Sequence, residues 1–230
     1  MPAITEEEFK HRVKKFVEAH ISDYTTDEAN FLIRNAAWGA NGSYVFDILR
    51  QIYDEVGLIE DDNNMYEGFA RLLEDNFDIN RDIVEIGGGI VPSLAKRVAL
   101  RQKSGTVTVY DPRLIMSIPK SSNLIMKKEK FEKNTQLEGE PLLIGCMPCE
   151  STIVFIETAC EKGLDFMLAL CEGGERKGYE WLENDDEWIS TIKRMALKGM
   201  KDKNMGTLEV ASLGKYGNPF PVIYNKRLKS

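Results

Sequence analysis

Three consecutive glycines separate a short apolar run from an amphipathic one in DIVEIGGGIVPSLAKRVA, residues 82–99. Ile83 to Ile86 reads as a strand, and a helix opens with Pro92 near its first turn, where a missing N–H costs little. Val91, Leu94, Ala95, Val98 and Ala99 recur at i, i+3, i+4, i+7 and i+8, one apolar stripe to lay against a sheet. Strand, glycine turn and helix in that order commit the chain to an open α/β sheet. In such sheets ligands bind at the carboxyl ends of parallel strands, and glycine lets the backbone approach them without a Cβ in the way.

The rest of the chain divides around this unit. Residues 1–80 read as an N-terminal helical region on the cap or substrate side, and 81–230 as a Rossmann-like domain. Thr5 with Glu8 and Thr25 with Glu28 each fit a capping box. Further helices are expected over 43–56, stopped by Gly57, and over 64–77. From residue 82 strands alternate with helices: strands at 107–110, 124–127, 142–146 and 166–171, and helices at 150–162, closed by Gly163, and 185–198. The last two strands, 207–213 and 221–226, are separated by a Gly-, Asn- and Pro-rich turn too short for a crossover helix, so they must pair antiparallel.

With 230 residues and 43% hydrophobic content the chain can bury a sizeable core. No apolar run approaches the ~20 residues of a membrane helix, and the start MPAITEEEFKHR lacks the pattern of a secretory signal. A soluble, cytoplasmic protein with reduced thiols at Cys146, Cys149, Cys160 and Cys171 is expected. A formal charge of −7 argues against unaided nucleic-acid binding, which depends on neutralising phosphates. Local basic clusters, such as Lys127, Lys128, Lys130 and Lys133, then read as solvated faces with acids nearby.

A dinucleotide, a flavin and S-adenosylmethionine all bind at glycine turns of this kind. The dinucleotide fingerprint wants a third glycine where this chain has Pro92, and too few residues follow to build a second catalytic domain. A parallel sheet ending in an antiparallel hairpin, with Glu85-Ile86-Gly87-Gly88-Gly89 at the first strand and Asp111 closing the next in TVTVYD, resembles the class I S-adenosylmethionine-dependent methyltransferases. The resemblance extends to a methyltransferase-like subgroup of unassigned substrate. It implies an α/β, Rossmann-like sheet, mostly parallel with a C-terminal antiparallel hairpin, and S-adenosylmethionine as cofactor. Gly87, Gly88 and Gly89 would lie against its methionine part, Glu85 on the amino group through water and Asp111 on the ribose. The expected activity is methyl transfer to a small-molecule or unidentified acceptor. The alternatives are a non-catalytic methyltransferase-like binding module and an NAD- or FAD-binding oxidoreductase. Two connections depart from the family pattern: 112–122, with Pro112 and Pro119, leaves room for one helical turn at best, and 128–141 is short and charged.

Cys146-Met147-Pro148-Cys149 falls where the fourth strand gives way to a helix. The Pro-Cys pair is similar to the nucleophile motif of cytosine C5 methyltransferases, and a helix N-terminus would lower the Cys149 thiol pKa, so Cys149 is the candidate catalytic residue. C-x-x-C between strand and helix also fits thiol redox chemistry, and Cys146, Cys149 and Cys171 could approach a zinc site lacking a fourth ligand. Against these stands plain burial of small apolar thiols. Trp38, Tyr44, Tyr66 and Phe69 are candidates to line an acceptor pocket, although aromatic residues on helical faces are more often plain core.

Overall fold

The computed structural model describes residues 5–25, 29–30, 33, 51–59, 64–170, 185–213 and 220–227. Seven strands form one sheet in the order β3-β2-β1-β4-β5-β7-β6. They are β1 (Ile83–Ile86), β2 (Val107–Tyr110), β3 (Leu124–Lys127), β4 (Leu142–Cys146), β5 (Phe166–Ala169), β6 (Thr207–Leu213) and β7 (Phe220–Lys226). The first five are parallel, whereas β7 runs antiparallel to both β5 and β6. The chain winds outward from β1 to β3 and returns to β4 on the other side of β1. In open α/β sheets that reversal, here between β1 and β4, is where ligands bind, at the carboxyl ends of the strands. Strand order and the reversed β7 make this the Rossmann-like sheet of the class I methyltransferase fold, the fold class expected from the sequence.

Five helices with defined bounds accompany the sheet: α1 (Glu6–Ala19), α2 (Met65–Asn76), α3 (Ser93–Arg101), α4 (Thr152–Lys162) and α5 (Asp185–Lys203). Residues 51–55 are also helical. Thr5 caps α1 by accepting from the Glu8 N–H at 3.2 Å, but the Glu8 carboxylate takes Arg12 Nε at 2.8 Å, so the box forms only by half. The second proposed box rests on Glu28, outside the described residues. Asn64 caps α2 through the Tyr66 N–H at 2.9 Å, and Gly163 closes α4 in the left-handed region, φ 65°. Helix α5 runs past the expected Lys198 to Lys203; Met200 extends its buried face in the cluster shared with α4 and β5, which Met205 joins from the segment beyond the helix.

Helices α2 and α3 pack on one face of the sheet, α4 and α5 on the other. Every residue of the α3 stripe is buried. A third apolar cluster joins α1, through Phe9, Val13, Phe16 and Val17, to Ile52 and Leu58 and seats them on Ile90, Val91, Ile115 and Ile118. The N-terminal helices thus rest on the segments that leave β1 and β2. The two short connections hold no helix. In place of one, the 128–141 strap sends Phe131 onto Tyr110, with ring centroids 5.3 Å apart, and packs Leu137 against the same cluster.

Candidate functional site

The turn after β1 is built by conformations only glycine adopts easily. Gly87 and Gly89 have φ of 76° and 75°. A Cβ on Gly87 would lie 2.7 Å from the Pro148 Cβ, and one on Gly89 would run into the Gln51 carboxamide. The turn is therefore pressed from two sides, by the loop after β4 and by helical residues 51–55.

Its backbone N–H groups are almost all used. Gly87 N–H donates to the Tyr110 carbonyl at 2.9 Å, extending the β1–β2 ladder. Gly89 N–H donates to Asp111 Oδ2 at 2.9 Å. Gln51 Oε1 accepts from the Ile90 and Val91 N–H groups at 2.8 and 3.2 Å, while its Nε2 donates to the Gly88 carbonyl at 3.1 Å. Ile90 in turn offers its carbonyl to the Ile115 N–H at 3.0 Å. Among the described residues only the Gly88 N–H of this run has no partner, although Gly88 is buried. A buried, unbonded amide asks for a ligand or a water.

Glu85, 2% exposed, lies beneath the turn and accepts from the Ala95 N–H in the first turn of α3 at 2.9 Å. Burial pushes its carboxyl up to about 8; the Ala95 bond opposes that shift, and the nearby Asp111 charge adds to it. Asp111 closes β2 at 3% exposure. Besides Gly89, it accepts from the Arg113 N–H at 2.8 Å and from the Arg113 guanidinium at 3.2 Å. The sequence thus locates Glu85, the three glycines and Asp111 at one place. It gives no sign of Gln51 or Arg113, which reach the turn from 37 residues upstream of Gly88 and from the β2 exit.

The loop after β4 borders the same turn through Pro148. Met147 and Cys149 hold positive φ, 54° and 45°, uncommon for residues with a Cβ. Cys149 is half-buried, begins a short 3-10 turn (Cys149–Ser151) ahead of α4, and its thiol donates to the Met147 carbonyl at 3.4 Å. Cys146 is buried at the end of β4, no disulfide joins Cys146, Cys149 or Cys160, and Cys171 lies outside the described residues. Among the described residues no group of three His, Cys, Asp or Glu side chains is placed to hold a metal ion. Tyr66 and Phe69 face the sheet in the apolar layer under α2 and are core; Trp38 and Tyr44 lie outside the described residues. The basic cluster after β3 is drawn into local pairs, Lys127 with the Tyr110 hydroxyl, Lys130 with Glu150, and Lys133 with Glu157 and Glu161. Among the described residues no helix is long and apolar enough to cross a membrane.

No family model matches the chain and no curated protein matches it. Among solved structures, it is similar to magnesium protoporphyrin IX methyltransferase from Synechocystis with bound SAH, at 9% identity over 93% of this chain and 99% of that one, TM-score 0.49. It is also similar to a methyltransferase from Pyrococcus furiosus, at 13% identity over 80% and 100%, TM-score 0.49. Human N-acetylserotonin methyltransferase in complex with SAM matches at 10% identity over 96% and 68%, TM-score 0.44.

Proposed function

We propose that this chain is an S-adenosylmethionine-dependent methyltransferase that binds its cofactor where β1 and β2 end. The observation that carries the reading is the bonding state of the glycine turn. A pyrophosphate held at a helix N-terminus needs several unclaimed amides and a positive field. Here Asp111 takes Gly89, Gln51 takes Ile90 and Val91, and Glu85 takes Ala95, which among the described residues leaves the Gly88 and Leu94 N–H groups open, with two buried carboxyl groups beside them. Such a cradle disfavours phosphates and suits a phosphate-free, positively charged nucleoside. The same bonding argues against the dinucleotide and flavin alternatives.

In this reading Gly87, Gly88 and Gly89 lie along the methionine part, with the Gly88 N–H as an open donor. Glu85 faces the ammonium through water. Asp111 accepts the ribose hydroxyls once the exposed Arg113 side chain gives way, while the Gly89 and Arg113 N–H groups keep the carboxylate aimed. S-adenosylmethionine supplies a methyl group already activated by its sulfonium. In-line alignment with an acceptor therefore provides much of the catalysis, and no general base is assigned. Cys149, in the loop that borders the turn through Pro148, is the candidate nucleophile. The Arg113–Asp111 pair and the helix-free connections favour a second reading, a methyltransferase-like module without catalysis.

Thermal unfolding separates these readings. S-adenosylmethionine at 100 times its dissociation constant stabilises the folded chain by about 2.7 kcal/mol, a rise of roughly 5–10 °C for a chain of this size. Asp111→Ala abolishes the rise, and nicotinamide dinucleotides produce none in either protein. A wild-type melting curve that stays put in millimolar S-adenosylmethionine overturns the proposal. Binding without methyl release to any acceptor pool favours the non-catalytic module.

A further inference from the structure

We infer that Gln51 is the positioning residue of the glycine turn and makes its ligand-accepting shape conditional on docking of the N-terminal helices; the ligand half of this rests on the function proposed above. One carboxamide serves three backbone groups, two N–H donors and one carbonyl, in a stretch of four residues. Only a side chain carrying an acceptor and a donor on the same planar group can do both. Glutamate keeps the acceptor and loses the donor. Methionine keeps the length and loses both.

Turn and carboxamide are matched to each other. Gly89 has no Cβ, and any side chain there would occupy the volume that the Gln51 carboxamide fills. Once Gln51 fixes Gly88, Ile90 and Val91, the amide between them points at Asp111, and the Gly89–Asp111 bond follows at 2.9 Å. That bond sets the direction of the carboxylate assigned to the ribose. Gln51 therefore acts on the ligand through Gly89 and Asp111 rather than by touching it.

The carboxamide is also held in place before any ligand arrives. Asp54 receives both terminal nitrogens of Arg97 at 2.7 Å, and Glu55 receives Lys96 at 2.6 Å, which staples residues 51–55 to α3. Ile52 and Tyr53 are buried in the cluster that includes Ile90 and Val91. A group fixed this way loses little freedom on binding, so its contribution reaches the ligand undiminished. The consequence is a dependence of the sheet's ligand site on a residue outside the sheet.

The test uses the full chain with Gln51→Met and Gln51→Glu, following amide hydrogen exchange of Ile90 and Val91 without ligand, S-adenosylmethionine affinity by calorimetry, and melting temperature. In the Met variant the two amides exchange at least tenfold faster and affinity falls ten- to hundredfold, while melting stays within a few degrees of wild type. The Glu variant, which retains the acceptor oxygen, restores slow exchange at both amides, a rescue that a merely space-filling role does not produce. Unchanged exchange and affinity in the Met variant overturn the inference and leave the proposed function intact. A wild type that fails to bind, with Ile90 and Val91 still released by Gln51→Met, overturns the function and leaves the hold on the turn standing. Should the Met variant not fold, fast Ile90 and Val91 exchange in the Glu variant overturns the inference by itself.

Discussion

Replacing Glu85 with glutamine removes a stability loss of about 4 kcal/mol that the wild type suffers between pH 5 and pH 8. The sign follows from where the proton sits. In the unfolded chain the carboxyl ionises near 4.5, but in the folded chain burial holds it to about 8. Between those values the folded state carries a proton that the unfolded state has lost, so rising pH favours unfolding by about 1.4 kcal/mol per unit. Below 4.5 both states are protonated and the penalty vanishes; above 8 it levels off. Glutamine keeps an oxygen for the Ala95 N–H and cannot titrate. Urea unfolding of both proteins at pH 5, 6, 7 and 8 reads the difference directly, and parallel pH profiles would show that Glu85 is ionised in the fold.

The same carboxyl links stability to the proposed ligand. A cation brought to the turn favours the ionised form of Glu85, so binding near pH 7 releases up to one proton per ligand. Calorimetry in buffers of different ionisation enthalpy detects that release, which Glu85→Gln lacks. Proton uptake in place of release would contradict a positively charged occupant.

Much of the unit around this carboxyl is written in local sequence. Ile83–Ile86, the glycines and the α3 stripe are contiguous: the short apolar run is a strand buried on both faces, and every residue of the stripe is buried against the sheet. The antiparallel hairpin was equally readable, since its short turn leaves no other pairing. What stayed hidden is whatever depends on meeting across the fold. A glutamine inside a helical stretch is unremarkable until the chain carries it to a turn 37 residues away. Arg113, two residues past Asp111, reads as an exposed loop charge, and only the bend after β2 folds it back onto the carboxylate. Tyr66 and Phe69 are core, the commoner fate of aromatics at the spacing of a helix face, and spacing alone does not tell a core face from a pocket wall.

Asp165→Ala destabilises the fold by about 3 kcal/mol yet leaves ligand affinity unchanged, because Asp165 sits at the other end of the strands from the glycine turn. It stands just before β5, where it accepts from Arg81 at 3.0 Å, Arg227 at 2.7 Å and Asn225 at 3.0 Å. Asn225, fully buried on β7, also holds the Phe166 N–H and the Met205 carbonyl, so one carboxylate ties the start of β5 to the antiparallel strand beside it. Burial alone would raise the Asp165 carboxyl, but the bonds from Asn225, Arg81 and Arg227 outweigh it and hold the carboxyl below its usual 3.8. Its contribution is therefore present above pH 3.8 and is lost as pH falls through the lowered value, opposite in sense to Glu85. Removing the carboxylate strands two guanidinium groups at a half-covered site, a cost between those of surface and buried pairs, and the melting temperature drops by roughly 6–12 °C. Calorimetric titration well below that temperature gives the wild-type dissociation constant for S-adenosylmethionine. A variant that melts normally, or one that melts low and also binds weakly while fully folded, would mean that the two ends of the sheet do not divide stability from ligand binding in this way.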